Sequence, residues 1–296
     1  MTVPVADAFR AVSTVDAALA AASAVLRDAG VPTPEVDAEL LLGHVTGLQR
    51  GVLRARAVTR AGLARDVVDA MSAAVARRAS REPLQHITGT AAFRSLELHV
   101  GPGVFVPRPE TEGVAQLAID ALRATATPHP VAVDLGTGSG ALALALATEV
   151  PHASVVAVEL SPDAAVWTRR NIASVGAANV RLVEGDMRDA LPELDGTVSV
   201  VVSNPPYVPL GMIPRDPEVR LHDPALALYG GDDGLVLVRA LSLTARRLLH
   251  SGGTLVIEHG ELQGGAIRSI LEADGWRSPA TTTDLTGRDR ATTAVR

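Results

Sequence analysis

The most diagnostic part of this 296-residue sequence is Val131-Ala132-Val133-Asp134-Leu135-Gly136-Thr137-Gly138-Ser139-Gly140, which the run Ala141 to Thr148 follows. The apolar residues predict a short buried strand, the glycines a tight turn, and the Ala- and Leu-rich run a helix. This order is typical of the first unit of a nucleotide-binding α/β fold. Glycine lets the backbone approach a ligand where a Cβ atom would collide.

The same alternation continues on the C-terminal side. Apolar runs predict strands near 131–135, 154–159, 180–184, 198–203 and 253–258. Helices are expected over 110–124, 139–149, 162–175, 234–249 and 261–274. This pattern predicts a doubly wound, mostly parallel α/β sheet with helices on both faces. Residues 276–296 are expected to add one or two closing strands. The excursion 208–233 is too long for an ordinary connection, and we predict that it is a substrate-side lid.

The N-terminal side has a different character. Residues 1–80 are predicted to form a small helical domain for substrate docking, with helices from about Thr14 to Asp28, Thr33 to before Gly47, and Arg60 to Arg78. Residues 81–108 predict a linker and a β-hairpin that turns at 101–103, and 109–296 a catalytic domain. The segment 50–81 holds eight arginines and two acids. It predicts either a basic docking face or an ordinary solvated helix surface.

Composition narrows the class of protein. The formal net charge of −6 argues against a tight, nonspecific DNA binder. Cysteine is absent, so disulfides and thiolate metal sites are excluded, and the eight histidines show no metal-ligand spacing. No run of about eighteen apolar residues predicts a membrane span. We expect a soluble, cytoplasmic protein without a bound metal.

Four residues at the end of the strand 198–203 suggest a chemistry. Proline lacks an N–H group, so the sequence Asn204-Pro205-Pro206-Tyr207 offers carbonyl acceptors and few donors. Asn204 adds a side-chain oxygen, and Tyr207 adds a flat face. Two acceptors and a ring would hold a planar –NH2 group, and enzymes that methylate amide or exocyclic amino nitrogens resemble this arrangement.

A cofactor site is expected beside that slot. Gly136, Thr137, Gly138, Ser139 and Gly140 would shape it, and Glu159, at the end of the next strand, would accept hydrogen bonds from a ribose diol. The glycine pattern alone also fits a dinucleotide-binding dehydrogenase. A carboxylate at Asp134 suits a cationic cofactor better than a pyrophosphate. Together with the Asn-Pro-Pro-Tyr sequence, it favours an S-adenosylmethionine-dependent amino-group methyltransferase.

Over most of its length the chain resembles the bacterial release factor glutamine N5-methyltransferases. The resemblance rests on Asp37 to His44, Arg81 to Leu84, Pro102 to Glu112, Asp223-Pro224, Gly230 to Leu235 and Ile257 to Gly260. It implies methylation of the glutamine in the Gly-Gly-Gln loop of class 1 peptide release factors. Two positions depart from the family pattern, since Met187 stands where an aromatic residue is common and His222-Asp223 where a glutamate is common.

The resemblance and the residues together assign roles. Asn204 and the Pro205 carbonyl would take the hydrogens of the amide, with Asn204 also beside the cofactor, while Tyr207 would orient the amide plane. Asp186 would bind the adenine amino group, with Met187 against the ring. Phe105 and Arg108 would border the cofactor site. His259, a single histidine at a strand end, is expected to be structural.

Three alternatives remain open at this stage. An adenine-N6 nucleic-acid methyltransferase would use the same slot, although the acidic charge and the flanking motifs disfavour it. A dinucleotide-dependent oxidoreductase would use the glycine turn but not the Asn-Pro-Pro-Tyr sequence. A noncatalytic binding module would have lost one of the motifs, all of which are intact here.

Overall fold

The structure is a computed structural model that describes residues 4–296. Its helices are α1 Val5–Ala8, α2 Val15–Asp28, α3 Pro34–Thr46, α4 Arg50–Val58, α5 Arg65–Ala79, α6 Leu84–Thr88, α7 Thr111–Ala124, α8 Ala141–Glu149, α9 Pro162–Val175, α10 Pro217–His222, α11 Ala225–Leu228, α12 Val236–Leu248 and α13 Gly264–Ala273. Its strands are β1 Thr90–Phe93, β2 Leu96–His99, β3 Val131–Leu135, β4 Ser154–Glu159, β5 Val180–Glu184, β6 Val198–Ser203, β7 Leu249–Glu258, β8 Arg277–Thr283 and β9 Asp289–Val295.

By its contacts, the chain divides into two compact units. The first comprises Met1–Gly89 with Arg215–His222, and the second comprises Thr90–Pro214 with Asp223–Arg296. No helix within residues 4–296 combines the length and the apolar composition that a membrane crossing requires.

The second unit is built on a seven-stranded sheet of order β5-β4-β3-β6-β7-β9-β8. Strands β5, β4, β3, β6 and β7 are parallel, and β9 pairs antiparallel with both β7 and β8. The predicted doubly wound, mostly parallel fold is therefore confirmed. From β3 the chain adds β4 on one side and β6 on the other, so the strand order reverses between β3 and β6. In open α/β sheets, ligands bind beside such a reversal, at the carboxyl ends of the strands.

Both faces of this sheet are buried, which explains the continuous apolar runs in the sequence. All six residues of β6 are buried. One face packs against α7 and α8, with Ile119, Leu144 and Leu146 in its core. The other packs against α12 and α13, with Leu241 and Ile267 in its core. The central strands β3 and β6 are thus held rigidly from both sides, and so are the loops that follow them.

The first unit is helical, as predicted. Thr14 precedes α2 and Gly47 follows α3 with a φ of 69°, a left-handed conformation that glycine adopts easily. A shared core includes Phe9, Leu41 and Met71. The predicted third helix begins at Arg65 instead of Arg60, because a separate helix, α4, occupies 50–58.

The arginines of segment 50–81 are mostly paired within this unit. Glu39 binds both Arg50 and Arg54, at 2.6 and 2.9 Å. The other arginines with an ion-pair partner are Arg60, Arg65, Arg77, Arg78 and Arg81. Within residues 4–296, Arg56 has no such partner. The local excess of positive charge in the sequence is thus largely neutralised in the fold, which weakens the idea of a basic docking face.

The hairpin differs from the prediction. Strand β2 was expected, but it pairs with β1, which precedes it, and the turn lies at Arg94-Ser95 instead of 101–103. Arg94 has a φ of 53°, and its guanidinium donates to Gln116 and Glu149. These side-chain bonds hold a turn that contains no glycine, so no turn residue in the sequence predicted it. Val104 and Val106 do not form a strand but are buried beside Trp167.

The excursion 208–233 contains two short helices, α10 and α11, which were not predicted. Its two ends meet, since Val208 N–H donates to Leu228 O at 2.8 Å and Gly230 N–H donates to Val208 O at 2.9 Å. Residues 215–222 belong to the first unit. Its role as a lid stays a prediction.

Candidate active site

The glycine turn after β3 lies at the strand-order reversal. The N–H groups of Gly136 and Thr137 both donate to Val158 O at 2.9 Å, which ties the turn to the end of β4. Gly136, Gly138 and Gly140 have φ values of 76°, 59° and 86°, in the left-handed region that favours glycine. A Cβ atom on Gly138 would meet no described protein atom within 4 Å. The turn therefore borders open space, as a ligand cradle requires.

Asp134 supports this turn from below. Its side chain is fully buried, and its Oδ2 accepts from Thr137 Oγ1 at 2.6 Å and from Ala143 N–H at 3.1 Å. Burial raises the pKa of Asp134 to about 7, against the opposing effect of these two donors. The carboxyl joins the turn to the first residues of α8. The expectation that its charge suits a cationic cofactor stays a prediction.

Glu159 lies at the end of β4 as predicted and is 8% exposed. Its two oxygens accept from Gly138 N–H and Ser161 N–H, each at 2.8 Å. The carboxylate thus holds the glycine turn and the start of α9 together. Its proposed bonds to a ribose diol would add to these contacts or replace them.

The predicted adenine-binding residues lie on the same side of the sheet, after β5. The Asp186 carboxylate binds its neighbour Arg188, through the backbone N–H at 2.9 Å and through the guanidinium. These bonds hold the pKa of Asp186 below its usual value. The Met187 methyl group would lie 3.6 Å from a Cβ at Gly136, so Met187 packs beside the glycine turn.

Strand register places the Asn-Pro-Pro-Tyr sequence next to that turn. Asp134 is level with Val202, and Ser203 is level with Ile257. One step further along the three strands, Gly136, Asn204 and Glu258 stand side by side. Ser203 Oγ donates to Leu135 O at 2.5 Å and fixes this level. The predicted cofactor loop and amide slot are therefore adjacent.

The backbone of the slot is held by glycines whose purpose the sequence did not reveal. A Cβ on Gly230 would overlap the Pro206 carbonyl oxygen, and a Cβ on Gly234 would overlap that of Tyr207. Gln263 Nε2 also donates to the Tyr207 oxygen at 3.0 Å. Gln263 thus occupies the Tyr207 carbonyl, and Gly230 closely approaches that of Pro206. The roles of the Asn204 side chain and the Pro205 carbonyl as acceptors for a substrate amide stay a prediction.

Tyr207 lies among charged groups. Burial raises the pKa of its hydroxyl to about 12, and the charge of Glu258 adds to this rise, so the phenol stays protonated. Arg108 is also near, and its guanidinium donates to Asp223 Oδ2 at 2.7 Å and lies 4.9 Å from the centre of the Phe105 ring. The departure at Asp223 thus contributes an ion pair at this site.

The end of β7 carries two titratable side chains, the carboxyl of Glu258 and the imidazole of the next residue, His259, and their surroundings differ. His259 is fully buried, and its ring nitrogens contact Gly260 O and Thr292 Oγ1 at 2.9 Å each, which fits the structural role expected. Glu258 is 2% exposed, and the sequence analysis assigned it no role. It could have been found by the pattern that identified Glu159, an acid at the end of a buried apolar strand. Within residues 4–296 no group of acids and histidines could hold a metal ion.

The fold and this site define a methyltransferase. A family model described as a methyltransferase domain matches residues 132–215. Among solved structures, the catalytic domain of human Mettl16, in complex with an RNA hairpin, has a TM-score of 0.53 at 14% identity, covering 67% of this chain and 75% of that one. This likeness shows the fold alone.

The N-terminal unit and the full-length relatives make the class more specific. A model described as the PrmC N-terminal domain matches residues 17–89. The release factor glutamine methyltransferase of Streptomyces coelicolor is 53% identical over 285 residues, covering 94% of this chain and 96% of that protein. That of Deinococcus radiodurans is 42% identical, covering 94% and 97%. The chain belongs to the release factor glutamine methyltransferase family.

One relative bears a different name. The 4-amino-L-phenylalanine/4-methylamino-L-phenylalanine methyltransferase of Streptomyces pristinaespiralis is 44% identical over 225 residues, covering 75% of this chain and 76% of that protein.

Proposed function

We propose that this protein transfers a methyl group from S-adenosylmethionine to the side-chain amide nitrogen, N5, of the glutamine in the Gly-Gly-Gln loop of class 1 peptide release factors. The observation that carries the proposal is the strand register, which sets Asn204 and Pro205, the predicted acceptors of the amide hydrogens, level with the glycine turn at the strand-order reversal. Relatives that match almost the whole chain carry the release factor name, which favours this substrate over a free amine.

The residues present fit the cofactor. Gly138 borders open space, Glu159 offers carboxylate oxygens at the end of β4, and Met187 offers an apolar surface beside Gly136. When bound, S-adenosylmethionine supplies an electrophilic methyl group on a sulfonium. Asp186 would accept a hydrogen bond from the adenine amino group, in exchange for part of its contact with Arg188.

The task of the slot is orientation. An amide nitrogen is a weak nucleophile, because its lone pair is delocalised into the carbonyl. Asn204 Oδ1 and the Pro205 oxygen would accept its two N–H groups and stabilise the positive character that grows on them during attack. Tyr207, kept neutral, would hold the amide plane. As the N–CH3 bond forms and the S–CH3 bond breaks, one N–H proton must leave the nitrogen.

Mass spectrometry of a release factor after incubation with enzyme and S-adenosylmethionine tests the proposal. We expect one added methyl on the Gly-Gly-Gln peptide, and none when that glutamine is replaced by alanine. Duplex DNA and 4-amino-L-phenylalanine serve as competing substrates. Methylation of either one, with an unmodified release factor, would overturn the proposal.

A further inference from the structure

The second unit has a buried carboxyl, that of Glu258, to which the proposed mechanism assigns no role. Register places Glu258 on the strand next to Asn204 and at the same level. Ser203 pairs with Ile257 in the sheet, and Asn204 and Glu258 are the residues that follow them. The next residue but one, Gly260, lies against the slot as well, since a Cβ there would be 3.7 Å from Tyr207 Cδ2. Glu258 is therefore beside the slot for the amide.

Its surroundings leave part of this carboxyl unsatisfied. Within residues 4–296 the buried Oε2 atom has no hydrogen-bond partner at ordinary distance. The Thr111 hydroxyl lies near enough to the carboxyl to lower its pKa by hydrogen bonding. Buried polar atoms are nearly always paired, and the exceptions require an explanation such as a catalytic role. Asn204, by contrast, is partly exposed, so the neighbouring slot is open to a substrate.

We propose that Glu258 is the proton acceptor of the methyl transfer, a role that rests on the proposed function. The amide nitrogen attacks the methyl carbon, the N–C bond forms, and the S–C bond breaks with its electron pair going to sulfur. The proton that the nitrogen then loses passes to the Glu258 carboxylate and later to solvent. The products are N5-methylglutamine, S-adenosylhomocysteine and a proton.

The charged and titratable groups that face Glu258 are few. Glu110 lies at the N-terminus of α7, Arg290 on β9 and Tyr207 in the slot, and the Thr111 hydroxyl is a further polar neighbour. Burial raises the pKa of Glu258 to about 7, Thr111 and Arg290 lower it, and Glu110 raises it. A proton acceptor is most effective when its pKa lies near the operating pH. A carboxyl with this pKa can accept a proton near neutral pH.

Steady-state kinetics from about pH 6 to about pH 9 test the role. In the wild type, kcat on a release factor should rise with pH and then level off. Glu258→Gln should lower the plateau roughly 100-fold and abolish the rise, with KM and S-adenosylmethionine affinity within about twofold. Glu110→Gln is the matched control, because Glu110 is exposed. It should keep the plateau and move the midpoint to lower pH.

Glu258→Asp guards against simple misfolding, since it should retain the pH-dependent rise at a lower rate. A Gln variant whose kcat rises in parallel with that of the wild type, or stays within about threefold of it, would overturn the proposal. Infrared difference spectra of the free protein provide a readout independent of turnover. The wild type should show protonated-carboxyl bands that disappear as pH rises, and Glu258→Gln should lack one of them while it keeps the band of Asp134. Identical bands in the wild type and Glu258→Gln would refute the titration of Glu258, whereas failure to methylate any release factor refutes the proposed function.

Discussion

Asn204 is the residue on which the proposed chemistry most depends. Asn204→Ala removes one of two acceptors for the amide hydrogens, and losing such an acceptor costs about 1–3 kcal/mol. Because about 1.4 kcal/mol corresponds to tenfold in rate, kcat should fall roughly 10- to 100-fold or more once misorientation is added. S-adenosylmethionine affinity, measured by calorimetry, should change much less. A variant that keeps more than about half of the wild-type rate would refute the assignment.

Glu159 has two tasks that can be separated by substitution. Glu159→Ala should weaken S-adenosylmethionine binding roughly 10- to 100-fold, since charge-assisted hydrogen bonds contribute about 1.5–3 kcal/mol. Glu159→Gln keeps one acceptor oxygen for Gly138 or Ser161 and should lose less. Calorimetric titration of both variants measures the difference. If the wild type and Glu159→Ala bind S-adenosylmethionine equally well, Glu159 supports the glycine turn and does not bind the cofactor.

For single residues, the sequence predicts where a site residue lies along the chain better than it predicts where its side chain points. It located Glu159, Asn204 and Tyr207 at strand ends, because apolar runs and glycines mark where strands stop. It could not show that Asp134 points under α8, since that depends on how the helix packs over the strand. Glu258 was missed for the same reason. Only the register of three strands brings it level with Asn204.

Among the elements, the glycine segment 230–234 supports the slot, and one substitution tests this. Gly234→Ala would place a Cβ against the Tyr207 carbonyl at a φ of 72°. Gly176 has the same φ, but a Cβ there meets no described atom within 4 Å, so Gly176→Ala isolates the backbone strain of about 1–2 kcal/mol. We expect Gly234→Ala to lose more stability in urea unfolding and to lower kcat at least tenfold. Matching results for the two variants would show that the contact is unimportant.

Helix α10 is held by a buried ion cluster. Arg78 binds Asp37 and Glu218 at 2.7 and 2.8 Å, and Arg81 binds Glu218 at 2.5 Å. Arg78→Met should reduce the free energy of unfolding by about 3–5 kcal/mol, because it leaves buried carboxylates short of a partner. Arg56→Met, at an exposed position without an ion pair in residues 4–296, should change it by less than about 0.5 kcal/mol. Urea unfolding of both variants measures the contrast, and a small loss in Arg78→Met would contradict the account.

This cluster also shows why α10 escaped prediction. Six residues with two prolines nearby carry little helical signal, and a helix this short is marginal in isolation. Its partners Arg78 and Arg81 lie about 140 residues earlier in the chain, a separation that no local pattern can report. The long strands and helices, in contrast, were predicted to within five residues at each end, because buried periodic runs largely determine them.

For the whole molecule, the stability contributed by two buried acids of the second unit, Asp134 and Glu258, depends on pH in the opposite sense from that of the surface acid Asp233. The pKa of Asp134 and that of Glu258 are each raised to about 7 by burial. Their contribution to stability is therefore complete below their unfolded pKa values of about 4 and is lost as pH rises towards 7. Asp233 behaves oppositely, because Arg239 lowers its pKa to about 2 and its contribution is lost only in acid.

Asp134→Asn tests this balance, since asparagine cannot ionise but can still accept from Thr137. Relative to the wild type, its free energy of unfolding should increase by roughly 2–4 kcal/mol between about pH 4.5 and about pH 8. Asp233→Asn is the control, and its difference from wild type should stay constant, because Asp233 is ionised throughout this range. Urea unfolding at several pH values measures both differences. If the Asp134→Asn difference is also constant, Asp134 ionises in the fold as easily as in the unfolded chain, and the glycine turn rests on a charged support instead of a neutral one.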